Sequence, residues 1–233
     1  PTLFLNLLDF LAGHAAHPFR KRLSPRWLDK ELPLPNLQNP LARVEIVNDF
    51  MHFMLMDCFQ IAAKLCRQWA DEIGNRTGRK RYVAGAVGPM TVSLSQFPDP
   101  DNLAFRRITF DQAVEAYRHQ IRALVEGGSD ILIVETIFDS LNAKAALAAI
   151  SDVFAAERFK LPVMISAAVG PGGETLISGQ MTEAYLNAMR HIKPLSIGMN
   201  CSLGPEQMRP FLADLAARCD TFVSAYPNAG LPD

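Results

Sequence analysis

The chain has 233 residues, of which 49% are hydrophobic and 20% charged, as in an ordinary globular protein. A formal net charge of −1 gives no sign of a nucleic-acid or membrane-surface partner. No apolar run approaches the roughly 18 residues of a membrane span, and the opening segment is apolar first and basic second, the reverse of a secretory signal.

Residues 1–57 are predicted to be an atypical, irregular N-terminal segment. Six of the 16 prolines fall in residues 1–40, and proline interrupts long helices because it lacks a backbone N–H. Residues 41–57 are apolar but show no clear period. Since the chain lacks an initiator methionine, we expect it to start inside a longer reading frame or after trimming.

Helical periodicity begins near Cys58, where apolar residues recur at four-residue spacing. These residues are Ile61, Leu65 and Trp69. The pattern predicts a helix that Gly74 can close.

The cysteines give no sign of a disulfide framework. They are Cys58, Cys66, Cys201 and Cys219, and none forms a CxxC pair. This usage favours a reducing, cytoplasmic compartment. The spacing of Cys58 and Cys66 on one predicted helix does not match a zinc site, and Cys219 is predicted to be structural.

From Arg81 onward, short apolar runs alternate with amphipathic segments. The predicted strands are 82–88, 131–135, 163–169, 195–200 and 221–228. The predicted helices are one that begins after Thr109, in a capping box with Gln112, and ends at Gly127, and three more at 140–157, 181–192 and 205–218. Because the strands are continuously apolar, we expect a parallel sheet buried on both faces.

The two candidate folds for this pattern are a doubly wound open sheet and a closed barrel. Neither GxGxxG nor GxxxxGK[ST] occurs, so the phosphate-binding motifs of doubly wound sheets are absent from the sequence. Strand after strand instead finishes in a small or polar residue, and barrel enzymes build their active sites from such strand ends. These residues are Gly88, Glu135, Ser166, Asn200 with Cys201, and Asn228.

Each strand-end residue has a structural interpretation as well as a functional one. Glu135 could pair with a structural lysine or arginine, or bind a cationic group such as an ammonium. Cys201 could be an inert buried thiol, a nucleophile or a metal ligand. Asn228 could be a turn residue. Asp139, four residues after Glu135, is predicted to be a loop or cap residue.

Several strings together resemble the homocysteine-binding domain of cobalamin-dependent methionine synthase. They are RYVAGAVGP (81–89), ILIVETIFDSLNAKAA (131–146), SGQMTEA (178–184), GMNCSLGP (198–205) and AYPNAGLP (225–232). The resemblance covers about residues 58–233, which are predicted to be a partial homocysteine-binding domain. It implies a (β/α)8 TIM-type barrel, incomplete here, with about five strands visible and the last strand missing.

The resemblance also implies a zinc ion held by three cysteines. Cys201 corresponds to the cysteine of the family's NC motif, while the GGCCGT motif that supplies the other two does not occur in this sequence. Asn228 corresponds to the asparagine that can occupy the fourth zinc position when no substrate is bound. Glu135 corresponds to the glutamate that binds the homocysteine amino group, and Ser166 is predicted to contact the substrate as well. The family's early glycine-rich strand and its ETNTF-type strand end are not visible in residues 1–57.

By this resemblance, the expected reaction is methyl transfer to homocysteine, with methylcobalamin as donor. The donor would bind a separate cobalamin domain that is recharged from a folate domain, both in the full-length protein and neither in this chain. Two alternatives stay open. The barrel could belong to a homocysteine methyltransferase that uses a betaine or sulfonium donor, or the chain could be an inactive fragment that binds neither metal nor substrate.

Overall fold

The computed structural model describes the backbone of residues 40–230 and the side chains of residues 56–230. The second of two compact units begins at His52 and contains the five strands. The predicted N-terminal segment 1–57 lies mostly outside the described residues. Its proposed boundary at residue 57 falls inside the first described helix and stays a prediction.

The helices and strands alternate along the chain as the sequence pattern predicts. The helices are α1 (Pro40–Thr77), α2 (Phe110–Glu126), α3 (Ser140–Glu157), α4 (Thr182–Met189), continued by a 3₁₀ turn (Arg190–Ile192), and α5 (Pro205–Arg218). The strands are β1 (Ala84–Val87), β2 (Ile131–Ile137), β3 (Val163–Ala167), β4 (Ser196–Asn200) and β5 (Phe222–Tyr226).

All five strands are parallel and lie in one sheet in the order β1-β2-β3-β4-β5. Each strand therefore pairs with its successor, as in a barrel, whereas the strand order of a doubly wound sheet reverses at a switch point. The predicted fold class, an incomplete TIM-type barrel with about five visible strands, is confirmed. One consequence is that the carboxyl ends of all five strands lie along the same edge.

Helix α1 differs from its prediction in length and in the face that it buries. It begins at Pro40 instead of Cys58, since segment 41–57 is apolar without a helical stripe to mark it. Its stripe of Ile61, Leu65 and Trp69 lies exposed, while the small residue Ala63 is buried. A Cβ atom at Gly127 would collide with Ala63, so glycine there allows α2 to end against α1.

The later helices follow local sequence rules closely. Helix α2 begins with the predicted capping box, in which the Gln112 N–H donates to Thr109 Oγ1 and the Thr109 N–H donates to Gln112 Oε1. Strand β4 is buried along its whole length, in agreement with its continuous apolar pattern, whereas β5 is largely exposed and departs from the expected burial on both faces. No helix in the described part of the chain is both long enough and apolar enough to cross a membrane.

Candidate functional site

Strand β2 loses its regular pairing with β3 between Val134 and Ile137, near its carboxyl end. Within this irregularity, Thr136 has a φ of 55°. A left-handed backbone costs a non-glycine residue roughly 1–2 kcal/mol, so the neighbouring structure must stabilise it. The irregularity places Glu135 in a half-buried position, where its Oε2 accepts a 3.4 Å hydrogen bond from Thr136 Oγ1.

Glu135 has no cationic partner among the described side chains. No lysine, arginine or histidine of residues 56–230 lies within ion-pair distance of its carboxylate. The structural interpretation, a strand-end ion pair, therefore has no support in this part of the chain. Glu135 lines a cavity of about 250 Å³ at the ends of β1 and β2, and a carboxylate at such a place is suited to binding a cationic group.

Asn200, the last residue of β4, is 3% exposed, and its carboxamide contacts a strand that is not its neighbour in the sheet. Its Oδ1 accepts the Thr136 N–H at 3.0 Å, and its Nδ2 donates to Thr136 Oγ1 at 2.7 Å. The same Nδ2 group lies 3.4 Å from Cys201 Sγ, where it acts as the donor. The carboxamide thus connects the ends of β2 and β4.

The chain turns sharply directly after Asn200. Cys201 and Ser202 have φ values of 59° and 61°, two consecutive left-handed residues. The Cys201 N–H donates to the Tyr226 carbonyl at 3.0 Å, which extends the pairing of β4 with β5 by one bond. The cysteine is half-buried, so it differs from the exposed Cys58 and Cys66.

Asn228 belongs to the loop that follows β5, and this loop is bonded to the turn after β4. Its backbone N–H donates to the Leu203 carbonyl at 3.0 Å, while the residue as a whole is exposed. The structure therefore brings the loops of Cys201 and Asn228 together. Ser166 is buried near the end of β3, opposite Gly198 of β4. The cavity that Glu135 lines is lined by none of Ser166, Cys201 and Asn228.

Asp139 caps helix α3 and anchors the loop that follows β1. It accepts the Leu141 N–H at the helix start and hydrogen bonds from both Ser93 and Ser95. Burial opposes ionisation of this carboxyl, but these hydrogen bonds outweigh burial and keep its pKa below the ordinary value. Of the two roles predicted for Asp139, loop residue or cap residue, the structure shows the cap, and the contact with the distant loop adds to it.

Tyr117 of α2 lines the same cavity as Glu135 and is a residue that sequence reasoning missed. Burial raises the pKa of its phenol to about 12, although hydrogen bonds involving Met90 and Asn142 act in the opposite direction. The phenol is therefore neutral at physiological pH. In the sequence, Tyr117 stands at helical spacing from the apolar residues Ala113 and Ile121, a pattern that indicates a core position and nothing more.

The predicted zinc ligands Cys201 and Asn228 lie in two neighbouring loops. Zinc prefers sulfur ligands, and the half-buried Cys201 provides one sulfur next to the loop that contains Asn228. Within residues 56–230, however, no three histidine, cysteine, aspartate or glutamate side chains converge on one point. The sulfur of Cys201 is therefore a suitable zinc ligand by its chemistry. A tetrahedral zinc site would need further ligands beyond the side chains of residues 56–230.

Comparison with known proteins places the chain among methyltransferases. Residues 48–233 match the family model described as homocysteine S-methyltransferase. Similar solved structures include the homocysteine methyltransferase MmuM from Escherichia coli in its apo form, at 18% identity and a TM-score of 0.57, covering 77% of this chain and 62% of that one. The metallated form gives 19% identity, a TM-score of 0.58 and coverages of 74% and 58%. The chain thus spans about three fifths of these structures, and the likeness supports the barrel-type fold.

Proposed function

Because this chain belongs to the homocysteine S-methyltransferase family, we propose that it forms the homocysteine-binding part of an enzyme that methylates homocysteine to methionine. The observation that supports this most directly is Glu135, a half-buried carboxylate without a cationic partner in the described residues, on the wall of a cavity. In this proposal the carboxylate binds the substrate ammonium, and Ser166 is a further substrate contact. An ammonium bound at a fixed carboxylate orients the rest of the substrate for reaction.

Cys201 is proposed as one zinc ligand, with the Asn228 oxygen as a weak ligand that the substrate replaces. Cys201 is one of the three thiolates that the family resemblance implies. The GGCCGT motif that would supply the other two does not occur in this sequence, and no three-ligand cluster is found among residues 56–230. When bound, zinc would keep the homocysteine sulfur in its thiolate form at neutral pH. The role of this chain is then to place that sulfur within reach of a methyl donor.

The proposed reaction is a displacement at the methyl carbon. The homocysteine thiol first loses its proton to water, and its sulfur then forms a bond to the methyl group. The bond between the methyl group and the donor breaks, and its electron pair leaves with the donor. We propose methylcobalamin as the donor, supplied by cobalamin and folate domains of a longer cytoplasmic protein, with a betaine or a sulfonium as the alternative donors.

Substrate binding is tested by replacing Glu135 in the full-length, zinc-loaded protein. Glu135→Gln should weaken homocysteine binding by about tenfold or more, because it removes the charge that pairs with the ammonium. Zinc content should be unchanged. Calorimetric titration gives the affinity and elemental analysis the metal, with Glu157→Gln, an exposed carboxylate at the end of α3, as the matched control. Equal loss of zinc and homocysteine would mean that Glu135 has a structural role.

The donor is identified by a separate assay. The full-length protein is incubated with homocysteine and, in turn, with methylcobalamin, a betaine or a sulfonium, and methionine is quantified. Activity only with methylcobalamin supports the methionine-synthase type of reaction. Activity only with one of the other donors would contradict it while leaving homocysteine methylation intact.

A second candidate function is a non-catalytic chain that binds neither metal nor substrate. It is favoured by the lack of a three-ligand cluster within residues 56–230, since one protein thiolate should not bind zinc tightly. The zinc content of the purified 233-residue chain distinguishes the two candidates. Near-stoichiometric zinc would exclude the non-catalytic interpretation.

A further inference from the structure

The Asn200 side chain connects the two strand ends to which the proposed function assigns different tasks. The end of β2 contains Glu135, the proposed ammonium ligand, and the end of β4 leads into Cys201, the proposed metal ligand. Strand β3 lies between them in the sheet. No ladder hydrogen bond therefore joins these two ends directly, and a direct connection between them needs a side chain.

The carboxamide of Asn200 has the right chemistry for this task. Its oxygen accepts a hydrogen bond from the Thr136 N–H, and its amide NH2 group donates to both Thr136 Oγ1 and Cys201 Sγ. Thr136 Oγ1 in turn donates to Glu135 Oε2. A continuous hydrogen-bonded path therefore runs from the carboxylate through Thr136 and Asn200 to the sulfur.

The backbone at both ends of this path has a left-handed conformation. Thr136, Cys201 and Ser202 all have positive φ values, an unfavourable state for residues with a side chain. Conformations of this kind persist where surrounding contacts determine them, and they cluster at functional sites. Asn200 contacts both ends, with two hydrogen bonds to Thr136 and one to the Cys201 sulfur. A purely structural role would explain the bond to the Thr136 N–H, but it would not require the contact with sulfur.

Building on the proposed function, we propose that Asn200 is a positioning residue that holds the Cys201 sulfur and the Glu135 carboxylate in a fixed relation. Its amide NH2 group orients the sulfur by donating a hydrogen bond to it. Its two hydrogen bonds to Thr136 fix the end of β2, next to the Glu135 carboxylate. The substrate would be bound at both ends, with its ammonium at Glu135 and its sulfur near Cys201.

The experiment uses the full-length protein with cobalt(II) in place of zinc, because the absorption of cobalt reports thiolate ligation and geometry. Three quantities are measured: cobalt affinity, the positions of the cobalt absorption bands and the dissociation constant for homocysteine. Asn200→Ala should lower cobalt affinity by about 10- to 100-fold and shift the bands, as is typical when a partner of a metal ligand is removed. Thr136→Val should leave cobalt affinity within about twofold and raise the homocysteine dissociation constant by about tenfold, because it retains the bond to sulfur and removes the hydroxyl that contacts Glu135.

Leu215→Ala is the matched control for loss of stability alone, since Leu215 is a fully buried residue of α5 without a role in the site. It should lower the melting temperature without altering the cobalt bands or either affinity. If Asn200→Ala behaves like Leu215→Ala, Asn200 is only structural and the proposal is wrong. Should Asn200→Ala not fold, Asn200→Asp replaces it, because aspartate retains the acceptor for the Thr136 N–H and lacks the amide donor. Cobalt bands and affinities equal to those of the native protein would then overturn the proposal.

Failure of this inference is distinguishable from failure of the proposed function. A native full-length protein that binds neither cobalt nor homocysteine contradicts both. A native protein that binds both ligands, with Asn200 variants that bind them equally well, contradicts only the positioning role.

Discussion

At the scale of single residues, the candidate site consists of polar residues that are half-buried or that have an unfavourable, left-handed backbone. Glu135 is a carboxylate without a cation among the described side chains, and Cys201 lies on a left-handed backbone. Each feature alone has a structural explanation. Asn200 connects the two positions through Thr136 and through its contact with the Cys201 sulfur, and the positioning role proposed for it accounts for both contacts.

Cys201 gives the first prediction at this scale. In the full-length protein, Cys201→Ala should abolish zinc retention, because alanine offers no ligand and incomplete sulfur ligation binds zinc weakly. Metal content after gel filtration measures the effect. Cys66→Ala is the control, since that cysteine is exposed on α1. Unchanged zinc in the Cys201 variant would refute its assignment as a ligand.

At the scale of elements, the cavity wall depends on contacts between segments that are far apart in the sequence. Asp139 begins helix α3 and binds the loop of Ser93 and Ser95, 46 and 44 residues earlier. Sequence alone predicted the cap, because capping depends on neighbours within a few positions. It could not predict the loop contact, since no local pattern marks which serine a carboxylate will bind.

Asp139 also makes the stability of the protein depend on pH. Because its pKa is lowered in the folded protein, its contribution is fully present above the unfolded value, near 4, and is lost as pH falls through the lower folded value. Asp139→Asn should therefore reduce the free energy of unfolding by roughly 1–3 kcal/mol at neutral pH and by less in acid.

Urea unfolding of both proteins at pH values of about 7 and about 3 measures this difference. Asp220→Asn, which changes an exposed carboxylate in the turn before β5, serves as the control and should have little effect at either pH. A deficit for Asp139→Asn that is the same at both pH values would show that its hydrogen bonds do not depend on ionisation.

At the scale of the whole molecule, the fold was largely predictable and the site only in part. Alternating apolar runs and amphipathic segments determine a parallel sheet, and helix ends such as the Thr109 capping box follow local rules. The start of α1 was missed because segment 41–57 has no apolar stripe. The link from Asn200 to Thr136 spans 64 positions in the sequence, so only folding reveals it.

The open end of the sheet leads to the last prediction. Strand β5 is the final strand of the described sheet, and no described strand pairs with its outer edge. Phe222 and Tyr226 on this strand are 73% and 79% exposed. An apolar strand with unpaired backbone groups favours association with other chains, so the 233-residue chain should self-associate as its concentration rises.

Phe222→Lys should reduce this association, because a charged side chain on an edge strand disfavours pairing with another strand. Phe105→Lys is the matched control, since Phe105 is also exposed, at 47%, but lies in the loop before α2. Sedimentation velocity over a range of concentrations compares the two variants with the native chain. If both lysine substitutions reduce association equally, general surface charge is responsible. If only Phe222→Lys does so, the edge of β5 is the contact, and covering that edge is what the rest of a closed barrel would accomplish.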